Sequence, residues 1–231
     1  MASMLAPIVV FDLDGTLVDT APDLVATLNR VLDGLGLPPV PYAEARNLVG
    51  GGARKMIERA LAAERSGLPA AEIDRLVRDF ITHYADHIAD RSRPFEGLEA
   101  ALDQLSHRGC RLAVCTNKLE WLARRLLDAL GLSTRFVVIC GADTFGVQKP
   151  DPELLRRTLK LAGECVEDAI MVGDSINDVA MAKSLGVAVI AVDYGYTETP
   201  VLQLGADRII SDPVELPKVV FELAGASDQA T

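Results

Sequence analysis

Asp12 and Asp14 are two carboxylates separated by one residue, followed at once by Gly15 and Thr16. Acids at this spacing can hold a hard cation through oxygen, and one of them can serve as a nucleophile. Thr116-Asn117 comes much later, then Lys149-Pro150, then Gly173-Asp174-Ser175 with Asp178 shortly after. A hydroxyl, an ammonium and two further carboxylates thus accompany the first pair. The set suits phosphoryl transfer. A phosphate monoester carries about two negative charges, so bare carboxylates would repel it without a divalent cation and a lysine. Asp174, with Asp12 and Asp178, can supply a magnesium site of few protein ligands completed by water. Thr116 can donate to a phosphoryl oxygen, and Lys149 can neutralise charge spread over the equatorial oxygens. Each piece alone has an ordinary structural reading: an Asx turn, a strand-end hydroxyl, a surface Lys-Pro turn. Their joint occurrence, in this order, argues for chemistry.

The chemistry requires these groups to meet on one edge of a sheet. Residues 8–11 form a short apolar run that reads as a buried strand, with Gly15 marking the turn after it. Residues 111–117, 136–140, 169–173, 187–192 and 208–210 read as further strands. Between them, 98–107, 119–130, 153–162 and 178–185 read as helices, with a short one near 200–204. Asp151 is the expected N-cap and Pro152 the expected first residue of the helix after Lys149. Strands alternating with helices predict a doubly wound parallel sheet, an α/β fold whose ligands bind beyond the carboxyl ends of the strands.

Residues 20–91 break this alternation. Thr20 is an expected N-cap, and Leu24, Leu28, Val31, Leu32 and Leu35 recur at helical spacing. A helical turn is expected over 42–46 and a longer helix over 70–90, with Ile73, Leu76, Val77, Phe80, Ile81 and Tyr84 on one stripe. Gly50-Gly51-Gly52 opens another helix that carries Arg54 and Lys55, which reads either as an anion site or as a flexible loop. His83 and His87 stand four apart without the flanking Glu of a metalloprotease motif, and read as helix-surface or cap-contact residues. The predicted domains are an α/β core of residues 1–19 and 92–231 and an inserted all-helical cap of residues 20–91. The two crossings are expected to hinge.

The 231 residues carry 33 acidic and 23 basic side chains, a net charge of -10, with 49% hydrophobic residues. That supports a sizeable core and argues against nucleic acid or an anionic membrane as partner. No apolar run is long enough to span a bilayer, and residues 1–7 lack the charged and apolar segments of a secretory leader. Cys110, Cys115, Cys140 and Cys165 are widely spaced, which fits unpaired thiols and a cytoplasmic location. The tail 226–231 is expected to fray.

With these motifs in place, the chain resembles the haloacid dehalogenase-like hydrolase superfamily over nearly its whole length. Asp12-Leu13-Asp14-Gly15-Thr16 matches the first motif; Thr116-Asn117, Lys149-Pro150 and Gly173-Asp174-Ser175 with Asp178 match the other three. The resemblance implies that Asp12 attacks phosphorus to form an aspartyl-phosphate. Asp14 would protonate the leaving oxygen and then assist water. Mg2+ would be held by the Asp12 carboxylate, the Asp14 backbone carbonyl and Asp174, with Asp178 supporting the metal or orienting Lys149. Residues 49–54, 141–144 and 194–196 further resemble the phosphoglycolate phosphatase branch. The implied substrate is a small phosphorylated metabolite, 2-phosphoglycolate first, with Thr116, Asn117, Lys149, Gly51, Gly52 and Arg54 binding it. A sugar-phosphate phosphatase, a pyrophosphatase and a phosphoglucomutase-like transferase share the same core chemistry; a catalytically silent phosphate-binding module would be expected to lack Asp12 or Lys149. Monomer and homodimer are both open.

Overall fold

A computed structural model of the chain describes residues 6–45, 48–64, 67–197 and 199–227. The N-terminal stretch 1–5, Arg46 and the end of the tail, 228–231, lie outside them, so the expectations made there are not addressed. The elements are β1 (Ile8–Phe11), β2 (Val18–Asp19), α1 (Ala21–Asp33), α2 (Tyr42–Ala45), α3 (Gly52–Ala63), α4 (Ala70–Asp86) and β3 (Arg93–Pro94). They continue as α5 (Leu98–His107), β4 (Arg111–Cys115), α6 (Glu120–Ala129), β5 (Val138–Cys140), α7 (Pro152–Ala162), β6 (Ala169–Gly173), α8 (Ile176–Ser184), β7 (Ala188–Val192), β8 (Arg208–Ile210) and α9 (Leu216–Ser227).

Six strands form one parallel sheet in the order β5-β4-β1-β6-β7-β8. β1 is central, fully buried on both faces, and its side chains alternate between two apolar layers. Val9 and Phe11 face the layer with α5, α6 and α9, through Leu98, Leu102, Leu126 and Val220. Ile8 and Val10 face α7 and α8, through Leu154, Leu155, Leu159 and Val179. This is the doubly wound α/β architecture expected, and β1 lies at the strand where successive connections change direction, the place where such sheets bind ligands.

Between β2 and β3 the chain forms α1 to α4. α4 packs on both α1 and α3. Leu28, Leu32, Met56, Ile57, Leu76, Phe80 and Tyr84 continue the same buried cluster that holds Phe11 and Val114 of the sheet. Three elements escape the sequence patterns. β2 and β3 pair antiparallel, Val18 with Pro94 and Asp19 with Arg93, but two residues are too few to show alternation. α9 carries no flanking cap signal apart from the Asp212 turn before it. α4 ends at Asp86, short of the expected 90, and α8 begins at Ile176, before the expected 178. Thr20 occupies the N-cap position of α1 without capping it, because its hydroxyl donates to Asp14 Oδ1 at 2.7 Å. No helix among the described residues is long and apolar enough to cross a membrane.

The two crossings are fastened by one buried carboxylate. Asp23 in α1 accepts from the backbone N–H of Arg91 at 3.0 Å, the N–H of Ser92 at 2.8 Å and the Ser92 hydroxyl at 2.7 Å. Asp23→Ala leaves these donors without an acceptor. The expected cost is about 3 kcal/mol, or a fall in Tm of about 6–12 °C. A thermal melt that moves by less than about 2 °C would remove Asp23 from this role.

Candidate active site

Register alone brings the carboxylates together. Phe11 is level with Val114 of β4 and Val172 of β6. The Asp12 N–H donates to the Val172 carbonyl at 2.9 Å, so Asp12 leaves β1 beside the end of β6, where Asp174 follows Gly173. Thr116 leaves β4 the same way, its N–H donating to the Cys140 carbonyl at 3.0 Å. Carboxylate oxygens of Asp12, Asp174 and Asp178 lie within 4.8 Å of one another, all buried.

Lys149 stands between two of these acids, its Nζ 2.7 Å from Asp12 Oδ1 and 2.6 Å from Asp178 Oδ1. Its backbone is held by Asn117, whose Oδ1 accepts from Lys149 N at 2.7 Å while Nδ2 donates to the Lys149 carbonyl at 3.3 Å. The Asn117 amide, expected to bind substrate, is thus engaged in placing Lys149. Asp151 caps α7 as expected, accepting from Glu153 N at 2.9 Å. Asp178 also serves locally: its Oδ2 accepts from Ser175 N at 3.1 Å, closing the first turn of α8.

Burial pushes the Asp12 carboxyl up to about 6, with Lys149 opposing and Asp178 adding to the rise. Burial also pushes Asp174 well above the usual carboxylate range, and the neighbouring charges of Asp12 and Asp178 push the same way. Burial works against the Lys149 ammonium, but Asp12 and Asp178 outweigh it and its pKa is raised. Three crowded oxygen donors held against a single lysine make a set that a hard divalent cation fits, since such a charge would relieve their repulsion.

The Asp174 carboxylate is fixed by Tyr196, whose N–H donates to its Oδ2 at 2.7 Å. Two glycines permit that placement. A Cβ on Gly15, whose φ is +83°, would come 2.3 Å from Asp174 Oδ2, and one on Gly195 would come 2.3 Å from Asp174 Cβ. The Tyr196 hydroxyl reaches Asp19 and accepts from Ala21 N at 3.0 Å, so one side chain links this acid to the β2–α1 crossing.

Asp14 does not join the three-acid group. Its carboxylate accepts from Lys118 Nζ at 2.8 Å and 2.9 Å and from the Thr20 hydroxyl. Lys118 is the residue that sequence reading missed. It follows Thr116-Asn117 directly, is buried, and lies 4.8 Å from the centroid of the Tyr84 ring. An adjacency of hydroxyl, amide and ammonium at a strand end was the available signal. Thr116 is buried and its Oγ1 accepts from Lys118 N at 3.2 Å, which leaves its own proton to donate.

A cavity of about 250 Å³ opens between these strand ends and helices α3 and α4. Asp12, Asp14, Thr116, Asn117 and Lys118 line one side; Gly51, Gly52, Arg54, Met56, Phe80 and Tyr84 line the other. Arg54 reaches the cavity, but its guanidinium pairs with Asp74 and with Glu58 at 3.4 Å. His83 and His87 stack at 4.4 Å between ring centroids and bond Thr27 and Asp90, consistent with a structural role.

Comparison with known proteins points the same way. Residues 9–192 match the family model described as haloacid dehalogenase-like hydrolase. A phosphoglycolate phosphatase of Agrobacterium fabrum is 48% identical over 94% of both chains. One of Mesorhizobium japonicum is 46% identical over 96% of this chain and all of its own length. The crystal structure of a predicted phosphoglycolate phosphatase from Haemophilus somnus superposes with a TM-score of 0.86 at 28% identity, over 95% of this chain and 99% of its own.

Proposed function

The chain belongs to the haloacid dehalogenase-like hydrolase family and is a phosphatase, and from that premise we propose 2-phosphoglycolate as its substrate, hydrolysed to glycolate and inorganic phosphate. The observation that carries the mechanism is buried Asp12, which lines a small cavity and is ion-paired with Lys149. The substrate follows from the names of the full-length relatives. Leu24, Met56, Val77, Phe80, Ile81 and Leu122 make part of the cavity wall apolar, which suits a small substrate with few hydroxyls.

In this reading Asp12 attacks phosphorus and the ester bond to glycolate breaks, leaving an aspartyl-phosphate. Asp14 gives its proton to the departing glycolate oxygen, then takes one from the water that attacks the intermediate. Thr116 donates to a phosphoryl oxygen, and Lys149 offsets the charge of the group in flight, held in place by Asn117 and Asp178. Asp12, Asp174 and the Asp14 backbone carbonyl, with Asp178 nearby, would hold Mg2+, which would supply charge neutralisation for the transferring phosphoryl group. Residues 20–91 act as a cap that closes over the site from its two crossings, with Gly51, Gly52 and Arg54 on its substrate side. The partner is a small metabolite in the cytoplasm.

Phosphate release with Mg2+ should be led by 2-phosphoglycolate over sugar phosphates, pyrophosphate and an aryl phosphate by about 100-fold in kcat/KM. A flat panel, or one led by another ester, would keep the chemistry and sink the substrate. Isomer formation without phosphate release would indicate a transferase.

Chelation with EDTA should abolish turnover. Mg2+ should also raise the Tm, and more so at pH 8 than at pH 5. A carboxyl raised to about 6 stabilises the metal-free chain at low pH and loses that contribution as pH rises from about 4 through 6. A cation competing with those protons therefore gains most where they have left. Equal Tm shifts at both pH values would argue against a carboxylate site.

A further inference from the structure

Resting on the reading that the substrate is a small phosphorylated acid, we propose that Lys118 and Tyr84 together form the site that binds its carboxylate. The acid group of such a substrate lies one carbon beyond the ester oxygen. Asp14, as the proton donor, must touch that oxygen, so the carboxylate falls against whatever stands next to Asp14. That neighbour is Lys118, whose Nζ lies within 2.8 Å and 2.9 Å of the two Asp14 oxygens.

Two cations line the cavity among its described residues, Arg54 and Lys118. Arg54 has a half-exposed side chain whose charge is already matched by Glu58 and Asp74. Lys118 is buried. An ammonium has three donors, and a carboxylate entering an apolar-walled cavity needs such a partner to offset its lost hydration.

Tyr84 supplies the second group. It is buried, lines the cavity, and its hydroxyl meets no hydrogen-bond acceptor. Burial pushes that phenol up to about 12, so it keeps its proton. The adjacent ammonium can only donate to it, which leaves the phenolic O–H without an acceptor. An orphan donor beside a buried cation is a receptor for an anion, and Tyr84 lies on α4, so the site would span the core and the helical insert.

The test is a ratio, which does not depend on how much of a variant folds. Bind 3-phosphonopropionate, which carries the carboxylate and cannot be hydrolysed, and propylphosphonate, which lacks it, in the presence of Mg2+, by calorimetry. The wild-type chain should prefer the first by about 30-fold or more. Lys118→Met should bring the preference within about threefold, Lys118→Arg should restore part of it, and Tyr84→Phe should lower it by about fivefold. Arg54→Gln should lower it by less than Lys118→Met does. A preference that survives Lys118→Met, or that disappears only in Arg54→Gln, overturns the proposal. If Lys118→Met does not fold, an unchanged ratio in Tyr84→Phe overturns the shared site. Survival of the ratio in Lys118→Met while 2-phosphoglycolate still leads the ester panel rejects the carboxylate site alone. A wild-type chain with no preference and a panel led by another ester rejects the substrate reading and this site with it.

Discussion

Asp12→Asn lowers kcat/KM by about 10⁴-fold or more, leaving turnover near background. The amide keeps the shape of the side chain and removes the anionic oxygen that forms the bond to phosphorus. The substitution should not unfold the protein. Burial and the nearby Asp178 and Asp14 charges all disfavour an anion at this position, with the Lys149 ion pair opposing them. Replacing the carboxylate by a neutral group therefore relieves crowding at the expense of one ion pair, and the Tm should hold or rise. Rapid quenching followed by intact mass measurement should find the phosphorylated chain in the wild type and not in the variant. Activity above about 1% of wild type in freshly prepared, undeamidated Asp12→Asn would end the nucleophile assignment.

Lys149→Met should lower kcat by about 10³-fold and destabilise the fold by about 3–5 kcal/mol. The two effects have one cause. The ammonium lies 2.7 Å from Asp12 and 2.6 Å from Asp178, and all three side chains are buried. Removing it strips the charge that offsets the transferring phosphoryl group and leaves two acids facing each other in the interior. The loss should depend on pH in a stated direction. Acids whose pKa is raised by folding stabilise the chain when protonated and cease to do so as pH rises through the folded pKa. Without the lysine the Asp12 pKa climbs further. The destabilisation measured by thermal melts should therefore be largest near pH 8 and shrink toward pH 4. A loss of equal size at both ends would mean that the introduced methionine is merely a poor fit. Restoring Mg2+ should recover part of the stability and little of the turnover.

The order of the motifs was readable because each belongs to one local pattern: a short apolar run, a polar residue where it stops, and a glycine or proline that turns the chain. β1, β4, β6 and the helices between them follow from period and punctuation, and the parallel α/β class follows from their alternation. Given that class, the ends of β1, β4 and β6 had to share an edge, which placed Asp12, Thr116 and Asp174 in one neighbourhood without coordinates. The long run of helical spacing over 20–91 likewise predicted helices there, and α1 to α4 lie within it.

What remained hidden are pairings between residues far apart in the chain. Lys118 is ordinary in sequence, since Asp14 lies 104 residues away and Tyr84 on a different helix. The Asn117 amide could have faced substrate, and only the approach of the Lys149 backbone, 32 residues on, engages it. Arg54 looked free to hold an anion until α4 brought Asp74 against it. β2 and β3 are two residues each, too short for any period, and the bonds from Arg91 and Ser92 to Asp23 hold the chain that follows the one against the chain that precedes the other. By itself the sequence determined the fold class, the strand-end carboxylates and lysine, and the reaction they suit, because periodicity and turn chemistry are local properties. Only the tertiary structure decided which cations are matched, which amide is occupied and which buried donor lacks an acceptor. Those depend on the distance between groups that chain order leaves unconstrained.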